Sequence, residues 1–177
     1  MGSTILMKDK TVEKKIIDCF EEIKSVETTL STFKPLAKER EYLTKYILIY
    51  TSGVLEISYK TLISNYCSFH SNSNLHNFFE SLILKKSKNA TYSNICELLK
   101  NINPDLHTLF KDKLNLINNC SEIKSSLESL STLRHSFAHG NLSEKVYFSD
   151  IKRYFKNSVE IIKILDEILI IPKKHFE

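Results

Sequence analysis

Apolar residues recur at spacings of three and four along most of the chain, the period of helices that each bury one stripe. From about Lys10 to Leu30 the stripe is Val12, Ile16, Phe20, Ile23, Val26 and Leu30. Pro35 interrupts it. A longer second helix is expected from about Leu36 to Tyr66, with Leu43, Ile47, Tyr50, Val54 and Ile57 facing inward. Gly53 within it costs about 1 kcal/mol against alanine, which a close helix crossing at that point would offset. The run Ser68 to Asn74 reads as the clearest loop, because Ser and Asn side chains offer the backbone local hydrogen bonds that compete with helix.

Shorter elements follow. A helix is expected from His76 to Lys85, then a polar break at Lys88-Asn89-Ala90, then a helix capped by Thr91 that carries Glu97 and runs to about Asn101. Pro104 fits the first turn of a further short helix bearing Leu106, Leu109, Phe110 and Leu114. Ser121 is placed to cap a helix with Ile123, Leu127, Leu130, Leu133 and Phe137, and Gly140 is placed to end it. Ser149-Asp150 opens a closing helix with Ile151, Tyr154, Phe155, Val159, Ile162, Leu165 and Ile168, which Pro172 ends. No internal repeat or low-complexity tract is seen. The pattern therefore predicts an all-α, up-and-down helical bundle, with extra short helices between the long second helix and the one that ends at Gly140. Residues 1–9 are expected to be a flexible N-terminal segment, 10–171 the helical domain, and 172–177 a tail.

Composition narrows the alternatives. A chain of 177 residues suits one domain. Three glycines and three prolines are too few for the turns that a sheet protein needs. Cys19, Cys67, Cys96 and Cys120 are scattered, with neither a C-x-x-C pair nor a disulfide framework, so they read as small apolar residues of a reduced, cytoplasmic protein. The short run Ile5-Leu6-Met7 is no signal peptide, and Leu6 stands where a myristoylation signal wants Ser or Thr. Longer apolar runs are broken by Lys, Glu or Ser, so no membrane span is expected. The net charge of +4 is compatible with RNA, yet ordinary solvated lysine faces give the same balance.

One segment carries candidate chemistry: Leu133-Arg134-His135-Ser136-Phe137-Ala138-His139-Gly140. Arg134 and His139 lie five residues apart, about 140° around a helix, so they do not share a face. His135 and His139, four apart, do. Cleaving RNA without metal requires a proton taken from the 2′-hydroxyl, charge stabilised on the phosphate, and a proton given to the 5′-oxygen. Histidine exchanges protons near neutrality, and arginine's planar fork fits phosphate oxygens. One Arg and one His on one helix cannot surround a phosphate easily. Two copies across a two-fold axis can.

Arg134 to His139 resembles the Arg-x4-6-His signature of HEPN ribonucleases, including the polar residue that follows the arginine. The ending Ala-His-Gly is similar to the RiboL-PSP and related microbial HEPN groups. The layout from about Ile16 to Ile171 looks alike too, with Glu56 and Tyr59-Lys60 on a long early helix. The resemblance implies a helical bundle, usually homodimeric, that cuts RNA without metal or other cofactor. It also implies service as the toxin or effector of a toxin–antitoxin or phage-defence system, checked by a cognate antitoxin or partner protein. Arg134 would then hold the scissile phosphate, His139 would act as acid or base, His135 would support them, and Glu56 could stand behind them. HEPN toxins controlled by a nucleotidyltransferase partner often carry Tyr two positions after the motif histidine; Asn141 stands there instead, which departs from that mode of control.

Blander readings use the same residues. In a catalytically inactive module that binds protein or RNA, Arg134 would pair with a carboxylate such as Glu56, and His139 would cap its helix. A zinc reading takes His135 and His139 at helical ligand spacing, but Ser136 replaces the Glu of H-E-x-x-H, and a third ligand would have to come from His107, His76 or a distant carboxylate. His70 and His76 flank a polar loop, His107 is expected on an exposed face, and His175 lies in the tail. Tyr42, Tyr46, Tyr50, Tyr59 and Tyr66 read as core or dimer-interface residues ahead of base-stacking ones. Cys67 and His70 lack any group to orient them as a nucleophile pair. No glycine-rich phosphate loop or G-x-S-x-G is found.

Overall fold

The computed structural model describes residues 5–35, 37–84, 89–140 and 146–170. They form seven helices: α1 (Lys10–Thr32), α2 (Lys38–Phe69), α3 (Ser73–Ile83), α4 (Tyr92–Ile102), α5 (Pro104–Asn115), α6 (Cys120–Ala138) and α7 (Phe148–Ile168). No strand occurs among the described residues. The expected all-α bundle, with short helices inserted before the motif helix, is the observed architecture.

Local chemistry sets three of the helix starts. Asp9 caps α1 by accepting from the N–H groups of Thr11 and Val12 at 2.9 and 3.0 Å. Thr91 caps α4 through Asn94 N–H at 3.1 Å, and Asn103 caps α5 through Asp105 N–H at 2.8 Å, with Pro104 in the first turn. Ser121 does not cap α6; the helix already includes Cys120, and its Asn119 cap makes no side-chain bond. Likewise α7 begins before Ser149, and its cap residue, Tyr147, offers no side-chain acceptor. The expected loop at 68–74 is shorter than its composition suggests, since α2 continues to Phe69 and α3 starts at Ser73.

The stripe expected on α2 is partly wrong. Ile47 is buried, but Ile57 is 50% exposed, and Leu43, Tyr50 and Val54 are only partly covered. The buried line runs through Leu48, Leu55, Tyr59, Leu62 and Ile63 instead. The cause is tertiary: α2 is touched by α1, α3, α4, α6 and α7, so several of its sides are covered and no single stripe dominates. Leu109, expected in the core, is also outward-facing.

Helix α7 runs through the centre, with Ile151, Phe155, Val159, Ile161, Ile162, Leu165 and Ile168 buried against α1, α2, α5 and α6. Phe155 meets Phe20 of α1 edge-on at 5.0 Å between ring centres. Residues 5–9, expected to be loose, are held down. Met7 is buried, and buried Asp166 of α7 accepts from the N–H groups of Lys8 and Asp9 at 2.6 and 2.9 Å. No helix among the described residues is long and apolar enough to cross a membrane.

Candidate active site at the end of the sixth helix

Helix α6 is anchored by Ile123, Leu127 and Leu130, which are buried, while Leu133 and Phe137 are half-covered by the core. Lys45 of α2 lies over the Phe137 ring at 5.6 Å and fixes this end of α6 to α2. The last turn closes through His139 N–H to the His135 carbonyl and Gly140 N–H to the Phe137 carbonyl, both at 3.1 Å. Gly140 has φ +76°, the left-handed conformation expected of a helix stop.

This frame divides the motif. His135 and His139 are both exposed, with ring centres 4.3 Å apart and planes tilted by 55°. Arg134 is half-buried and turned inward. Its Nη1 donates to Asn89 Oδ1 at 2.5 Å, over a crevice of about 10 Å³ lined by Ser52, Leu55 and Glu56 of α2 and by Ala90, Leu130 and Ser131. A space of that size holds about one water. The expected sharing of a helix face by the two histidines, and their separation from Arg134, are therefore both observed.

The Glu56–Arg134 pair expected of an inactive module does not form; Glu56 pairs with Lys60 at 2.6 Å. Glu56 and Arg134 instead flank the same crevice. The cause lies four residues along α2, where Lys60 reaches Glu56 at helical ion-pair spacing and is itself buried. Asn89 is the residue that sequence reasoning missed. It was legible only as part of a polar break, yet it holds the guanidinium and is itself fixed by α4: its carbonyl accepts from Thr91 N–H at 2.9 Å and Asn94 Nδ2 at 3.0 Å. The start of α4 is tied back to α6 by Tyr92 N–H donating to Glu128 Oε1 at 2.8 Å.

The remaining candidates fall elsewhere. The His70 ring packs against Tyr66 at 4.4 Å, tilted by 45°, at the far end of α2, and His107 is half-buried on α5 instead of exposed. Burial pushes the Cys67 thiol up to about 11, which suits an inert apolar residue and not a nucleophile. Tyr59 is buried, Tyr50 and Tyr66 partly so, and Tyr42 and Tyr46 are exposed. Asn141, His175 and Pro172, and the side chain of His76, lie outside the described residues. Among the described residues no three His, Cys, Asp or Glu side chains cluster as metal ligands would.

Compared with known proteins, residues 14–170 match the sequence model of the RiboL-PSP-HEPN family. No curated protein and no solved structure matches the chain.

Proposed function

Since the chain belongs to the RiboL-PSP-HEPN family, we propose that it is a metal-independent endoribonuclease whose active site forms between two copies. The observation that carries this reading is the motif's arrangement. Arg134 is aimed by Asn89, while His135 and His139 stand side by side in solvent on the same rigid turn. In one chain these groups look in different directions. A second copy docked against the end of α6 would bring two arginines and two histidine pairs to one cleft.

The chemistry assigned is transesterification. One imidazole takes the proton from a ribose 2′-hydroxyl, and the 2′-oxygen attacks phosphorus. Arg134 neutralises the charge gathering on the non-bridging oxygens. The bond to the 5′-oxygen breaks, that oxygen receives a proton from an imidazolium, and a 2′,3′-cyclic phosphate is left. His139 is the acid or base, and His135 holds its ring. Service as the toxin or effector of a toxin–antitoxin or phage-defence system, with a partner protein that restrains it, fits such an activity in the cytoplasm.

The test is cleavage of RNA in EDTA. Cyclic-phosphate ends are expected, with His139→Ala slower by about 10²- to 10⁴-fold, the usual worth of a general acid or base. Specific activity should fall on dilution as the dimer dissociates. Metal-dependent cleavage, or a His139→Ala variant as fast as the parent, would remove the proposal. A second reading, a non-catalytic binding module, is favoured by one fact: Arg134 is already hydrogen-bonded inside the fold. Under that reading Arg134→Ala lowers thermal stability and changes no chemistry.

A further inference from the structure

A second concavity lies on the same side of α2 as the Arg134 crevice, and nothing in the chemistry above uses it. It has a volume of about 530 Å³ and is walled by Tyr59, Tyr66 and His70 of α2, Phe79 of α3, and Leu98 and Asn101 of α4. Cavities of roughly 300–1,000 Å³ with mainly apolar walls and a few convergent polar groups are the usual form of small-ligand sites.

Its placement follows from helix geometry. Ser52 and Glu56 edge the crevice at Arg134, while Tyr59, Lys60, Tyr66, Cys67 and His70 line the larger cavity. At 100° per residue all seven fall within an arc of about 120° on α2. The two concavities are thus consecutive along one helix face, with centres roughly 15 Å apart at 1.5 Å of rise per residue. The Glu56–Lys60 ion pair forms the ridge between them.

The lining decides what the cavity suits. Lys60 is paired with Glu56, and Glu97 stands in the same wall, so the cavity offers no net positive charge for a phosphate. It does offer aromatic walls: Tyr59, Phe79, and the Tyr66 and His70 rings, which are tilted against each other at 4.4 Å. The Tyr66 hydroxyl and the amide of exposed Asn101 add polar groups to this lining. Aromatic faces for stacking, beside an amide that can both donate and accept, are how proteins hold unstacked bases of single-stranded RNA.

We infer that this cavity between α2, α3 and α4 is a nucleobase pocket, which takes an unstacked base of the RNA strand a few nucleotides from the phosphate held at Arg134. The strand would run along α2, with its phosphate at the arginine and the base beyond the Glu56–Lys60 ridge. The inference rests on the endoribonuclease reading for the strand, but not for the base itself.

The experiment has two arms. In the first, the full-length ¹⁵N-labelled chain is titrated with adenosine, guanosine, cytidine and uridine in turn. Saturable amide shifts at Tyr66, Cys67, His70 and Asn101 are expected, stronger for one base than the others. Asn101→Ala, at an exposed position that should leave folding intact, should weaken this binding about tenfold, as should His70→Ala, while His139→Ala should not change it. In the second arm, a cleavable RNA is scanned with single abasic positions. A drop of about tenfold in kcat/KM is expected at one position away from the cut, and the drop should vanish in Asn101→Ala. No nucleoside-dependent shift at these residues at millimolar concentration overturns the pocket. Nucleoside binding together with a flat abasic scan overturns the strand, leaving a site for free nucleosides. If nucleosides bind but RNA is never cut, the nuclease reading fails and the nucleobase assignment stands.

Discussion

Arg134 and its partner show how much of the site depends on contacts remote in sequence. The hydrogen bond that Arg134 donates to Asn89 spans 45 residues of chain and sets the direction of the guanidinium. Asn89→Ala should leave the α6 core untouched and lower kcat by about 10- to 100-fold, the scale of loss when a catalytic group is misaimed by about an ångström. A KM that rises with kcat unchanged would show that Asn89 serves binding alone. The placement of the motif residues was legible, because Arg134, His135 and His139 follow helical spacing on one helix, with the two histidines on a shared face. Asn89 was not, since an asparagine before a helix cap reads as loop wherever it occurs. The pairing of Glu56 was half legible: its need of a base followed from burial, but the choice of Lys60 over Arg134 depended on which side chain the fold brought nearer.

At the level of elements, helix ends were read best where a side chain does the capping. Thr91, Pro104 and Gly140 were read at real boundaries, while the Asp9 and Asn103 caps emerge only from the structure. The misplaced starts of α6 and α7 are those whose first residues make no side-chain cap bond. Gly140 links these boundaries to the site, for α6 ends at Ala138, His139 is its cap, and the left-handed Gly140 follows directly. An alanine there meets no steric neighbour but must adopt φ +76°. Gly140→Ala should therefore destabilise by about 1 kcal/mol, read in urea unfolding, and disturb the His135–His139 ring contact. Unchanged stability would show that the last turn can end in another conformation. On α2 the periodicity failed for a different reason. A helix covered on several sides has no single apolar face, and spacing alone chose the stripe ending at Ile57 over the one through Leu48 and Leu55.

For the molecule as a whole, the shifted groups define how stability should vary with pH. Burial, and then the charge of Glu22, raises Cys19 from its ordinary 9.0 to about 12, and burial raises Cys67 from 9.0 to about 11. A raised pKa means that the fold holds the proton more tightly than the unfolded chain does. The associated stability is complete below pH 9 and is lost as pH rises through about 11 and 12. At the acid end, the hydrogen bond from Lys10 and then that from Met7 N–H hold Glu13 below its usual 4.5, and the bond from Lys113 does the same for Glu167. Their contributions are present above about pH 4.5 and disappear as pH falls through the lowered values. Urea midpoints measured between pH 7 and 11 should thus decline above pH 9, and Cys19→Ala should flatten that decline. A decline of the same slope in the variant would assign it to other groups.

The tie between Asp166 and the amides of Lys8 and Asp9 also bears on how the protein is made. It joins residues 157 and 158 positions apart, and α7 fills the centre of a bundle whose other helices are all synthesised before it. A ribosome adds about 5–20 residues each second, so the earlier helices wait several seconds for the one that completes their core. In that interval α2 and α6 lack the partner that holds them in register. The motif at the end of α6 thus leaves the ribosome in an unfinished scaffold, and the order of synthesis delays any activity of that helix until α7 has docked.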